Sequence, residues 1–91
     1  MPTRNDIQPK VIAKIASVVH RRASAISEGD RLFEELGMGP IVRKAMALPY
    51  TKISEESGGS PISQSAAGNL KTVKASVDLV FTKANENSGN L

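Results

Sequence analysis

Leu32-Phe33-Glu34-Glu35-Leu36-Gly37-Met38-Gly39-Pro40 is the stretch on which the fold turns. Leu32, Phe33 and Leu36 have helical spacing, and Asp30 stands where a helix cap belongs. The pattern predicts a short helix over residues 31–36 with those three side chains inward. Gly37 then ends it in the left-handed conformation that glycine tolerates. Pro40, three residues on, suits the first turn of a new helix, where its missing N–H costs nothing. Two helices in close succession are the expectation.

Upstream, Ile7, Val11, Ile15 and Val18 recur at helical spacing, and Ile12 and Val19 widen the stripe. A long first helix is expected over about residues 8–23, with Asp6 as cap and Pro9 at an early position. Lys10, Lys14, Arg21 and Arg22 fall off the stripe and form a solvated face, the two arginines complementing the helix dipole. The loop over residues 24–29 is polar except for Ala25 and Ile26, and Ile26 is expected to plug the core from outside.

Downstream, Ile41, Val42, Ala45, Met46 and Leu48 are apolar before Pro49. Inside a helix Pro49 removes one hydrogen bond and clashes with the carbonyl of Ala45, at a cost of ~3 kcal/mol. A kink is expected there, with Tyr50 and Ile53 on a continuing piece and a polar exit ending at the breaker Gly58-Gly59. Ser60-Pro61 predicts a short helix over residues 61–67, with Ile62 and Ala66 inward and Gly68-Asn69 closing it. Leu70 is expected to staple the entry to a last helix over residues 73–84, capped by Thr72, with Val73, Val77, Val80 and Phe81 on one stripe. Residues 85–91 form a small, polar tail. The fold class is therefore all-α, a small four-helix bundle with a kinked second helix: one domain over residues 1–84 and a flexible tail over 85–91. Its expected core is Val11, Ile15, Val18, Leu32, Phe33, Leu36, Val42, Met46, Val77, Val80 and Phe81.

Composition agrees. Only Phe33, Phe81 and Tyr50 are aromatic and tryptophan is absent, so aliphatic side chains must fill the core. With no cysteine there is no disulfide framework, thiolate zinc site or thiol nucleophile. No apolar run approaches the ~18 residues that would span a bilayer. Lys10 and Lys14 interrupt the N-terminal pattern, so neither a secretory leader nor a membrane partner is expected, and a cytoplasmic setting fits.

The Leu-Phe-Glu-Glu-Leu-Gly run, the helix before it and the Leu70-Lys71-Thr72-Val73 entry to the last helix resemble acyl carrier proteins. From Val11 to Gly37 the register is similar without a gap, and Met46-Ala47-Leu48 is similar to the family's Met-Ala-Leu. The resemblance covers about residues 7–84 and is poor between Pro40 and Ala67. It implies a helical bundle of the kind used in fatty acid or polyketide biosynthesis. In that family a serine at the position of Pro40 carries the phosphopantetheine arm. The family's second helix is typically acidic, whereas this one offers Arg43, Lys44 and Lys52. The resemblance thus implies a carrier-like module without its carrier residue and with no cofactor attached. Such a module would bind another protein, or an acyl chain non-covalently. A partner reading Arg43, Lys44, Arg21 and Arg22 would present an acidic surface, since facing like charges are costly. The same cations could equally serve solubility alone.

No catalytic constellation emerges, and the chain is not expected to be an enzyme. His20 stands alone beside Arg21 and Arg22. Glu34 and Glu35 are adjacent and diverge on a helix, which does not suit paired acid/base work. Ser54, Ser57, Ser60, Ser63 and Ser65 lack a nearby histidine and read as caps and loop residues. No phosphate-cradling loop motif is present. The alternative from another class is a small basic helix-turn-helix DNA binder. Twelve basic residues against nine acidic give a net charge of +3, and the pI is ≈ 9.5. Gly58 would lie in the turn, with Ser63, Gln64 and Asn69 reading bases. Against this, Gly59 and Gln64 occupy places that want apolar residues, and no basic residue follows until Lys71 to hold phosphates.

Overall fold

A computed structural model describes residues 3–86. The helices are α1 (Arg4–Val19), α2 (Pro40–Ala45), α3 (Ala47–Glu56), α4 (Gln64–Gly68) and α5 (Val73–Ala84), with a 3-10 turn at Ala23–Ala25. α2 and α3 are two limbs of one helix bent by 27° at Met46, so the architecture is a small four-helix bundle. The expected kink is present and its cause is Pro49. The ring conflicts with the carbonyl four residues back, that of Ala45, so the ladder breaks beside it and restarts with Tyr50 N–H on the Met46 carbonyl at 3.0 Å. The limbs then pack differently, α2 against α4 and α3 against α5, while α1 lies along α5.

α1 starts and ends about four residues earlier than periodicity suggested. Thr3 is its cap and Asp6 closes a capping box from the third position, Thr3 N–H donating to Asp6 Oδ2 at 2.8 Å. Pro9 therefore lies inside the helix. His20 terminates it in the left-handed region (φ 58°). Arg21 and Arg22 follow that residue and are exposed, outside the last turn.

Residues 31–36 form a single turn, not a helix. The Met38 N–H donates to the Leu32 carbonyl (2.8 Å) and the Gly37 N–H to the Phe33 carbonyl (3.0 Å). With Gly37 at φ 72° this is an αL closure, and the additional bond from Met38 to Leu32 brings those two residues together in the core. Ile26 plugs the core as expected. Asp30 caps locally, accepting from Ser27 N–H at 2.9 Å. Its carbonyl and that of Glu28 accept the Val73 (3.0 Å) and Lys74 (2.9 Å) N–H groups, and Leu32 N–H donates to the Lys71 carbonyl at 2.8 Å.

α5 has the predicted bounds and cap, Thr72 Oγ1 accepting from Ala75 N–H at 3.0 Å. α4 begins later than expected. Ser60 and Pro61 precede it in extended chain and Ser63 is its cap. The turn before it is pinned by side chains of α3. Thr51 Oγ1 accepts from Ile62 N–H (2.9 Å) and donates to the Ile62 carbonyl (3.2 Å), and buried Ser54 Oγ donates to the Ser60 carbonyl (2.7 Å).

The core holds Val11, Ile15, Leu32, Leu36, Met46, Val77 and Val80 as expected, together with Ile7, Met38, Tyr50, Ile53, Ile62 and Val73. Phe81 packs at its margin. Three expected core residues face outward: Val18, Phe33 and Val42 are 40%, 53% and 37% exposed. For Val18 and Phe33 the shifted end of α1 and the missing helical turn explain it. Burial pushes the Tyr50 phenol up to about 12, and the Ser76 hydroxyl beside it opposes this.

Gly59 is where backbone approaches backbone. A Cβ there would overlap the Lys83 carbonyl oxygen and lie 2.5 Å from Ala84 Cα. Gly59→Ala should therefore lower stability by about 2 kcal/mol or more, a fall in Tm of roughly 10 °C in a thermal melt. Gly29→Ala, with nothing within 4 Å of the added carbon, should leave Tm nearly unchanged.

Candidate functional site

The four cations expected to bind a partner separate into two groups. Arg43 and Lys44 line a cleft between α2 and α4 together with Pro40, Gln64, Ser65, Gly68 and Asn69, with a cavity volume of ≈ 540 Å³. Arg21 and Arg22 are exposed beyond the end of α1 and do not line it. Arg43 is half-buried, and its Nε is enclosed without a protein hydrogen-bond partner. Lys44 reaches across α4. A Cβ on Gly68 would stand 2.8 Å from Lys44 Cγ, so the absence of a side chain at Gly68 lets the lysine stem lie there. Among the described residues none of the four cations forms an ion pair.

The outer face of the bent helix carries a different pattern, one that the sequence did not resolve. Ile41 and Leu48 are 83% and 66% exposed. Two helical turns apart, they share a face with exposed Ala45, and exposed Lys44 and Lys52 flank them. Periodicity marks all these positions as helical, but α2 and α3 carry apolar residues on more than one side. Only the packing of Met46, Tyr50 and Ile53 decides which side is the core.

Other charged groups are engaged locally. Arg4 reaches Glu28 with two hydrogen bonds (2.5 and 3.0 Å) and Asp78 with a third (2.7 Å), tying α1 to the loop and to α5. These bonds hold the Arg4 guanidinium well above its usual pKa and the Glu28 carboxyl below its own. Arg31 pairs with Glu35 at 3.1 Å and Glu34 at 3.9 Å. A second groove, lined by Lys14, Lys52, Ile53, Glu55 and Glu56, carries both signs of charge.

The hydroxyls along the second helix are also accounted for. Thr51 is bonded to the Ile62 backbone and Ser54 is buried on the Ser60 carbonyl. At the start of that helix stand Gly39, Pro40 and Ile41, with Pro40 at its first position. Ser63, expected as a base reader in the DNA-binding alternative, has its oxygen engaged by Ala66 N–H at 3.1 Å. Gln64 and Asn69 face the cleft from a helix of five residues. Among the described residues no helix is long and apolar enough to cross a membrane. No family model, curated protein or solved structure matches the chain.

The Glu28 carboxyl, lowered chiefly by its hydrogen bonds from Arg4, contributes stability that is present above its ordinary value of 4.5. That contribution is lost as pH falls through the lower, folded-state value. Glu28→Gln should therefore melt below wild type by a constant margin near neutral pH. The margin should close on acidification below pH 4.5. A margin independent of pH would mean that packing, not charge, holds the clamp.

Proposed function

We propose that this chain is a non-catalytic, acyl-carrier-protein-like helical module that acts by binding another protein through the outer face of its bent second helix. The observation that carries this is the exposure of Ile41 and Leu48 on one face, flanked by Lys44 and Lys52. Large aliphatic side chains that open to water, on a bent helix whose second limb is packed on its opposite side, favour an apolar groove in a partner. The flanking lysines, neither of them in an ion pair among the described residues, favour carboxylates on its rim. Support for the carrier-like reading comes from the order of helices and from Pro40 at the head of the second. Protein binding is favoured over acyl binding because the cleft between α2 and α4 is mainly polar, and four of the five residues lining the groove by Lys14 are charged. It is favoured over DNA binding because α4 is a single short turn without a basic residue.

Burying an Ile or Leu side chain is worth about 1.5–3 kcal/mol. Once a partner is captured and purified, Ile41→Glu with Leu48→Glu should weaken its calorimetric affinity by roughly a hundredfold or more. Lys44→Glu with Lys52→Glu should reduce it too, most strongly at low salt. A partner bound equally well by all of these variants would defeat the proposal, as would tight, salt-sensitive binding to duplex DNA weakened by changing Gln64 and Asn69.

The module should also resist loading by a phosphopantetheinyl transferase. Transfer needs a free hydroxyl oxygen at the start of the second helix, and Gly39, Pro40 and Ile41 have none. Thr51 and Ser54 are held by the backbone of residues 60–62. Incubation with coenzyme A, magnesium and a broad-specificity transferase should leave the intact mass unchanged. A gain of one phosphopantetheine group would overturn this. Pro40→Ser that folds and still is not modified would point to the basic second helix as what repels the transferase.

A further inference from the structure

The cleft between α2 and α4 differs from the other groove in charge. Two cations, Arg43 and Lys44, meet three uncharged polar side chains, Gln64, Ser65 and Asn69, and among the described residues no carboxylate lines it. The groove by Lys14 balances its lysines with Glu55 and Glu56. Elsewhere the fold pairs its half-buried cations closely, as Arg4 does with Glu28 and Asp78. Arg43 is half-buried and has no such partner. Its Nε, shut off from solvent, keeps a donor without a protein partner, which marks a guanidinium the fold leaves unmatched. A cleft of ≈ 540 Å³ is in the size range of small-ligand sites.

We infer that this cleft is a binding site for the oxyanion head of a small molecule, with a phosphate monoester as the preferred class. The guanidinium of Arg43 presents a planar pair of donors that matches two oxygens of one tetrahedral or carboxylate group. Lys44 adds a point charge from the α4 side, its stem lying over Gly68. Two cations with no acid suit a dianion better than a monoanion. Amide N–H groups of Gln64 and Asn69 and the Ser65 hydroxyl can donate to the remaining oxygens, each side chain being exposed at the cleft. Ser63 caps α4 and is not among the residues that line the cleft. The site stands on the inner side of α2, away from Ile41 and Leu48, and shares only Lys44 with the protein-binding face.

The test is a titration of the protein with inorganic phosphate, followed by amide and arginine side-chain NMR at constant ionic strength. Acetate and chloride are run in parallel. Phosphate should give saturable shifts confined to Arg43, Lys44, Gln64, Ser65, Gly68 and Asn69. The Nη–H signals of Arg43, assigned by their loss in Arg43→Lys, should move downfield as the terminal donors of the guanidinium are taken up. Acetate should move the same signals with weaker affinity, and chloride should not saturate. Equal affinity for acetate would reassign the preferred head to a carboxylate and overturn the phosphate preference. Lys44→Gln, at an exposed position, should weaken phosphate about tenfold with the fold intact by circular dichroism. Gly68→Ala should also weaken it, since it displaces the lysine stem without removing charge. Shifts that fail to saturate, that spread equally to Arg21 and Arg22, or that persist unchanged in Lys44→Gln would overturn the site. The phosphate, acetate and chloride titrations of the unaltered protein read the cleft alone, whereas Ile41→Glu with Leu48→Glu reads the outer face alone, so the failure of one proposal is distinguishable from the failure of the other.

Discussion

The bundle depends on the way one loop satisfies the start of α5. The first N–H groups of a helix have no partner inside it, and a buried N–H left unpaired is costly. Here Val73 and Lys74 donate to the carbonyls of Asp30 and Glu28, and Ala75 donates to Thr72. A return bond from Leu32 to Lys71 makes the contact a short two-way strap. The strap fixes the register of the loop, and everything after it follows from that register. Leu32 drops into the core, the left-handed closure at Gly37 turns Met38 in behind it, and Gly39-Pro40 emerges placed to start α2. Arg4 reinforces the same junction from α1 by gripping Glu28 in the loop and Asp78 on α5.

Pro49 imposes the second constraint. A straight helix from Pro40 to Glu56 would carry one buried stripe against one set of neighbours. The bend at Met46 lets the two limbs address different ones, α3 settling on α5 while α2 leans on α4. Tyr50 and Ile53 are buried on the far limb. On the near limb the buried side is given to Arg43 at the cleft, and Ile41 is left in water. The polar cleft and the exposed aliphatic ridge are thus two results of one proline.

Sequence pattern located some of this to the residue and missed other parts for definite reasons. α5 was legible in full because its cap, Thr72, and its apolar stripe name the same start. Pro40 was legible because a proline after a Leu-Gly stop has few other places to go. The kink was legible because a proline ring acts on a known carbonyl. α1 was misplaced because Asp6 reads as a cap in isolation, whereas Thr3 and Asp6 together make the capping box. Phe33 was assigned to the core on a helical periodicity that a single turn does not possess. Met38 was overlooked because its burial follows from the left-handed Gly37 and not from any stripe. Ser54 was read as a loop residue, although its buried hydroxyl holds the Ser60 carbonyl. The cleft had no local signal at all. It exists only where α2 meets α4, and those segments are joined through the pinned turn at Gly59 and Ile62.

The charge reading changes most between chain and fold. On the chain, a net charge of +3 looks like a diffuse basic character. In the fold, Arg4 and Arg31 are neutralised by neighbours, and Arg21 and Arg22 stand apart beyond α1. What remains concentrated is the set around the second helix: Arg43 turned inward, with Lys44 and Lys52 bordering the ridge of Ile41 and Leu48. Salt screens dispersed surface charges readily, but it screens a half-buried guanidinium much less. Binding at the ridge should therefore draw its strength from apolar burial and its orientation from the lysines. Binding in the cleft would draw strength from charge itself. Lys44 belongs to both surfaces, exposed on the outer side and reaching across Gly68 on the inner one. An anion that fixes its ammonium over α4 would take one positive charge away from the ridge, which gives the two surfaces a physical route by which to influence each other.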